Sequence, residues 1–215
     1  MSCSSDIFDI FDSRGWTQAS MSTPQTAYYP NLGPQGNALV EGFIDCVGLD
    51  SGLLFTNLNL CTQLSIPVIM TTQAATTFGP CVPSIRSCLP KGTLEYDKKQ
   101  FSMLIPEVVD ALKQEDRKEV VLVGIETQIC VSQTALDLQK EGYKVVVLVE
   151  AVSSSSRQER DLALRRMQSA GIGVTSMESW LFETLRSAEH ESFKQISALL
   201  RRTKPERSRI VESLL

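Results

Sequence analysis

The sequence predicts an α/β fold: a doubly wound, mostly parallel sheet with helices on both faces. Three observations lead to it. From residue 66 onward, short β-branched runs ("IPVIMTT", "EVVLVG", "KVVVLVEA" and "GIGVTS") recur, with helix-like periodicity between each and the next. The runs are nearly continuous in apolar residues rather than alternating, as expected of strands covered on both faces. Finally, the stretch from Val120 to Ala151 reads strand, helix, strand and halts at Gly124, with Cys130 six residues later at the mouth of the helix. In sheets of this kind ligands bind beyond the carboxyl ends of the strands, which is where Gly124 to Cys130 falls.

The helices carry their own signals. In "FSMLIPEVVDALKQE", Pro106 takes a first-turn position and Val108, Val109 and Leu112 follow at helical spacing. The stretch "SSSSRQERDLALRRMQSAG" supplies serine caps, a helix carrying Leu162, Leu164 and Met167, and Gly171 as terminator. Two further amphipathic helices are expected around Met177 to Arg186 and Glu191 to Arg201. The organisation expected is an irregular segment over residues 1–37, rich in Ser, Thr, Gly, Pro and Gln, then a single α/β domain over 38–202 and a frayed tail over 203–215. Ala38 to Val47 reads as a strand, and Leu53 to Leu64 as a short helix.

Composition narrows the function classes. The 215 residues carry a net charge of -4 with acidic and basic residues intermixed, and the one concentrated basic run, "LLRRTKPERSR", reads as a solvated tail, so no nucleic-acid surface is expected. No apolar run reaches the roughly 18 to 20 residues that cross a bilayer, and the acidic start "MSCSSDIFDIFD" is unlike a targeting peptide; a cytoplasmic location without membrane contact is the expectation. Six cysteines without a CxxC pair read as reduced thiols. His190 is the sole histidine, so zinc sites and Cys-His arrangements are hard to build, and no metal or other cofactor is expected.

Cys130 admits two readings from position alone. It is either a small buried residue under a helix, or a thiol whose anion is favoured by the unpaired N–H groups and positive dipole end of a first helical turn. Lys98 and Lys99, taken alone, read as solvated loop charges.

Together, "GIETQIC", "KKQFSM" and "AVSSSSRQERDLALRRMQSAGIGVTSMES" resemble the isochorismatase-like cysteine hydrolase superfamily, most closely its isochorismatase-domain-containing branch, over about Ile66 to Arg201. The resemblance implies the family's doubly wound fold and an Asp, Lys and Cys catalytic set. Cys130 falls on the nucleophile, in a turn expected to hold a non-prolyl cis peptide between Ile125 and Glu126, with the Glu126 and Cys130 amides as oxyanion hole. Lys98 falls on the family lysine three residues before an aromatic, Phe101. Gln73, Phe101, Glu126 and Thr127 are placed around a small-molecule substrate, and assembly into homo-oligomers is implied.

The family's aspartate at the end of a first central strand has no matching string here. Asp45, ending "GFID", is the preferred position; Asp12, ending "IFDIFD" upstream of "AYYPNL", is the rival, and a chain with neither remains open. That first central strand is therefore expected to be atypical or missing. The resemblance implies a hydrolase of an amide-like or related bond acting through an acyl-enzyme. The alternative is a catalytically impaired relative that serves as a binding or scaffold protein.

Overall fold

The computed structural model describes residues 64–214 other than Val82, Cys88 and Asp116. The expected strand over 38–47, most of the expected helix over 53–64, and both Asp45 and Asp12 lie outside the described residues. Five parallel strands appear in chain order: β1 (Ile69–Gln73), β2 (Leu94–Lys98), β3 (Glu119–Gly124), β4 (Lys144–Val152) and β5 (Gly173–Thr175). The helices are α1 (Ala75–Phe78), α2 (Pro83–Arg86), α3 (Pro106–Gln114), α4 (Ser132–Lys140), α5 (Arg157–Ser169), α6 (Met177–Leu185) and α7 (Phe193–Leu214), with a π-helical turn, Thr127–Val131, running into α4.

Parallel hydrogen bonding joins β1 to β2 and, separately, orders β3-β4-β5; no described strand bridges the two sheets. The apolar side chains nevertheless form a continuous core on each face, because successive strand residues point to opposite sides. Met70, Val121, Val123, Val146 and Leu148 pack against Trp180 and Leu181 of α6 and Ile196 and Leu199 of α7. On the other face, Ile69, Val120, Leu122, Val145 and Val147 pack against Val108 and Leu112 of α3, Ala135 and Leu138 of α4, and Leu164 and Met167 of α5. Helices on both faces of parallel strands make this the doubly wound α/β architecture expected from the alternation of runs.

Three local differences from expectation have physical causes. β2, "LEYDK", is a strand although charges interrupt it; its outward residues are exposed, so it does not need the apolar character of its neighbours. In α5 the buried stripe is Arg160, Ala163, Leu164 and Met167, an i, i+3, i+4, i+7 series that Leu162 does not join, and Leu162 is 59% exposed. The last helix does not end near Thr203: α7 runs to Leu214 with Pro205 inside it. The structure agrees with expectation at Pro106 in the first turn of α3, at the Ser156 hydroxyl, which caps α5 by accepting from Glu159 N, and at Gly171, with φ 87, after it.

Candidate active site

The two halves of the site stand at strand ends. In the β1/β2 register Gln73 and Lys98 are paired, each the last residue of its strand. Lys98 is only 3% exposed. Its ammonium donates to Gln73 Oε1 at 2.5 Å, to the carbonyl of Gln100 at 3.0 Å and to the carbonyl of Phe101 at 3.1 Å. An ammonium has three N–H groups, and burying its charge is tolerable only where strong acceptors replace water. The solvated-charge reading therefore fails for Lys98, whereas Lys99 is exposed. Phe101 contributes its carbonyl to Lys98. Gln73 Nε2 donates to the Lys99 carbonyl at 2.8 Å, so both ends of its amide serve the Lys98 loop.

The second half begins where β3 ends. Gly124 has φ 130, and the next peptide, Ile125-Glu126, is cis, at the bond the resemblance implied. The chain then enters the π-helical turn, with Ile129 N and Val131 N both donating to the Glu126 carbonyl at 3.1 and 3.2 Å. Cys130 lies in this turn, 5% exposed, in an apolar cluster with Met103, Val131 and Val152 against which Phe101 also packs.

A register shift in β4 sets a serine loop over the turn: Leu122 pairs with Val147 but Gly124 with Val152. Ser153 N then donates to the Gly124 carbonyl at 3.2 Å, and the Ser153 carbonyl accepts from Thr127 N at 2.9 Å and Thr127 Oγ1 at 2.8 Å. The buried Glu126 carboxylate accepts from Ser155 N at 2.8 Å, Ser155 Oγ at 3.2 Å and Gln128 Nε2 at 2.9 Å. The side chains of Glu126 and Thr127 are thus engaged in holding the turn.

Sequence reasoning missed Thr134 and Ser155. Thr134 Oγ1 accepts from Met103 N at 3.0 Å and donates to the Cys130 carbonyl at 2.7 Å, so a single hydroxyl joins the loop that follows Lys98 to the turn that holds Cys130. The serine run before α5 was legible only as caps. His190, whose role was open, accepts from Ser192 N through Nδ1 at 3.1 Å, a local turn contact.

A buried lysine at the end of β2 and a buried cysteine in the turn that follows β3 give a parallel α/β protein whose candidate site lies beyond the carboxyl ends of its strands. Residues 58–179 match the family model described as Isochorismatase domain, and the chain belongs to the isochorismatase family. Both candidate aspartates precede the matched residues. The chain is 41% identical over 150 residues to the secreted isochorismatase effector Isc1 of Phytophthora sojae, covering 68% of this chain and 71% of that protein. It is 39% identical over 150 residues to isochorismatase domain-containing protein 2 of Xenopus laevis, covering 69% and 72%. Among solved structures, the MAR1 ribonuclease of Caenorhabditis elegans superposes with a TM-score of 0.68 at 34% identity, covering 78% of this chain and 90% of that one. No helix among the described residues is long and apolar enough to cross a membrane.

Proposed function

We propose that the protein is a cysteine-dependent hydrolase of a small molecule carrying an amide-like or related bond. The observation that carries this reading is the buried Lys98 ammonium on a loop tied through Thr134 to the Cys130 turn. A buried cation and a helix start both favour the sulfur anion, which is the nucleophilic form of cysteine.

In the reaction, the Cys130 thiolate attacks the carbonyl carbon, and the carbonyl electron pair moves onto oxygen, held by the Glu126 and Cys130 amides. Collapse breaks the carbon-to-leaving-group bond. The departing group takes a proton from the carboxyl of Asp45, leaving a thioester on Cys130 and a carboxylate on Asp45. That carboxylate deprotonates water, hydroxide adds to the thioester, and the thiolate leaves to restore the free enzyme. Lys98 balances the negative charge throughout, Phe101 flanks the apolar cluster around the sulfur, and Gln73, Glu126 and Thr127 act by holding the lysine loop and the cysteine turn. A reducing, cytoplasmic location suits a reaction that needs a free thiol, and assembly into homo-oligomers, implied by the family resemblance, belongs to the same reading.

The test compares two cysteines of nearly equal burial, Cys130 at 5% and Cys81 at 3% exposure. Burial alone gives equal, slow labelling by iodoacetamide; the proposed electrostatics give rapid labelling of Cys130 at neutral pH. Cys130→Ala should also abolish turnover in a panel of small amides and esters, with single-stranded RNA assayed alongside to test the small-molecule assignment. A second reading, a binding or scaffold protein without chemistry, is favoured by the position of Asp45 and Asp12 ahead of the residues that match the family. Any turnover lost on Cys130→Ala eliminates it.

A further inference from the structure

Gln73 stands where a substrate contact was expected, yet its amide is committed to Lys98. We propose that Gln73 is the positioning residue of Lys98: a neutral acceptor that fixes the ammonium at the strand tip without cancelling its charge. The inference rests on the reading of Lys98 as the partner of a Cys130 thiolate.

Four features support it. Gln73 and Lys98 are register partners on adjacent parallel strands, so their side chains leave the sheet on the same side. The amide orientation follows from chemistry, because the opposite one would set an NH2 group against an ammonium and an oxygen against the Lys99 carbonyl. The two other acceptors of this trio are backbone carbonyls of Gln100 and Phe101, so Gln73 is its side-chain member. Finally, all three acceptors are uncharged. A carboxylate at position 73 would form an ion pair with the ammonium and lower the positive potential available to a nearby anion, whereas an amide holds the group and leaves the potential in place. A bulky apolar side chain would give up the hold itself.

The experiment uses the full chain and four variants: Gln73→Met, Gln73→Glu, Lys98→Met, and Gln73→Met combined with Lys98→Met. Two rates are measured by mass spectrometry. One is alkylation of Cys130 by iodoacetamide as a function of pH, and the other is acetylation of Lys98 by acetic anhydride.

Gln73→Met is expected to raise the pH midpoint of Cys130 alkylation in the same direction as Lys98→Met, slowing the reaction roughly threefold to tenfold near neutral pH, as a shift of about half to one unit requires. In the Lys98→Met background it should add nothing, the non-additivity expected of a residue that acts through another. Lys98 should acetylate several-fold faster in Gln73→Met, but remain protected in Gln73→Glu, where the hold persists and only the charge changes.

Unchanged Lys98 acetylation in Gln73→Met overturns the proposal. So does an equal slowing of alkylation with or without Lys98, which would put Gln73 on the substrate or on the sulfur directly. If Lys98→Met leaves the alkylation midpoint where it was, the hydrolase reading loses its ammonium, while the hold of Gln73 on Lys98 still stands or falls on the acetylation rates.

Discussion

The Thr134 hydroxyl donates to the carbonyl of Cys130 at 2.7 Å, four residues back along the chain. The same oxygen accepts from Met103 N at 3.0 Å, a contact that spans 31 residues. Both Met103 and Thr134 are buried, so water does not replace either bond. This one atom ties the lysine loop to the cysteine turn.

Thr134→Val keeps the side-chain shape and removes both contacts. It leaves the Met103 N–H buried without this acceptor, which costs about 1–3 kcal/mol. The expected outcome is a lower denaturation midpoint in urea with unchanged slope, together with slower Cys130 alkylation. Thr134→Ser retains the hydroxyl and should restore most of both.

Glu126 tests the serine loop. Its carboxylate gathers Ser155 N, Ser155 Oγ and Gln128 Nε2 within 3.2 Å. Glu126→Ala removes a buried anion that receives charge-assisted hydrogen bonds, a loss of roughly 1.5–3 kcal/mol. Because Ser153 in the same loop accepts twice from Thr127, the loss should also loosen the Cys130 turn. Amide hydrogen exchange of residues 124–131 and 153–156 should rise in this variant, with α7 unaffected.

Much of this architecture was legible because buried parallel strands write themselves as β-branched runs, and β1, β3 and β4 all do; β5 is short and only partly buried. β2 does not: Glu95 and Asp97 alternate with Leu94 and Tyr96, so the strand that delivers Lys98 to the site looked like a loop. The burial of Lys98 was visible only through the family motif, since the acceptors that make it tolerable include two backbone carbonyls that carry no sequence signal. Leu162 stays outside the core although it is apolar, because a count of leucines does not fix the phase of a helix; the stripe through Ala163 and Met167 does. The tail over 203–215 read as frayed, yet α7 continues through Pro205 to Leu214. Thr134 and Ser155 escaped notice because their hydrogen bonds join loops that are far apart in the chain.

Arg160 is the buried cation on the other side of the serine loop, 5% exposed. It donates through Nε to the Val152 carbonyl at 3.0 Å and through its terminal nitrogen to the Val149 carbonyl, near the end of β4. Desolvation by burial pulls its pKa below the ordinary arginine value, with Asp161 opposing the shift. Arg160→Met returns that desolvation cost but takes the arginine donors from two carbonyls, and the second effect should win by roughly 1–3 kcal/mol. A folded pKa lowered below the unfolded one penalises folding at every lower pH and relaxes only as pH rises through it. Since arginine stays protonated well above neutrality, the melting temperature should show no titration from this group between about pH 6 and 8. The measurement is thermal melting of both proteins across that window, with a constant difference expected.

Gly124 carries the transition from β3 to the Cys130 turn at φ 130, a conformation that side chains rarely adopt. A Cβ there meets backbone strain immediately before the Ile125-Glu126 peptide, and strain of this kind costs on the order of 1–3 kcal/mol. The chain can relieve it by rotating Gly124, but its carbonyl accepts from Ser153 N at 3.2 Å, so rotation gives up the contact that seats the serine loop. Gly124→Ala should therefore lose stability by about that amount. Its Cys130 should also lose its selective reactivity over Cys81, even at temperatures where the protein remains folded. Equal labelling of the two cysteines in the folded variant would mark the turn geometry as the source of the selectivity; a Cys130 that stays selectively reactive would place its source in the charges alone.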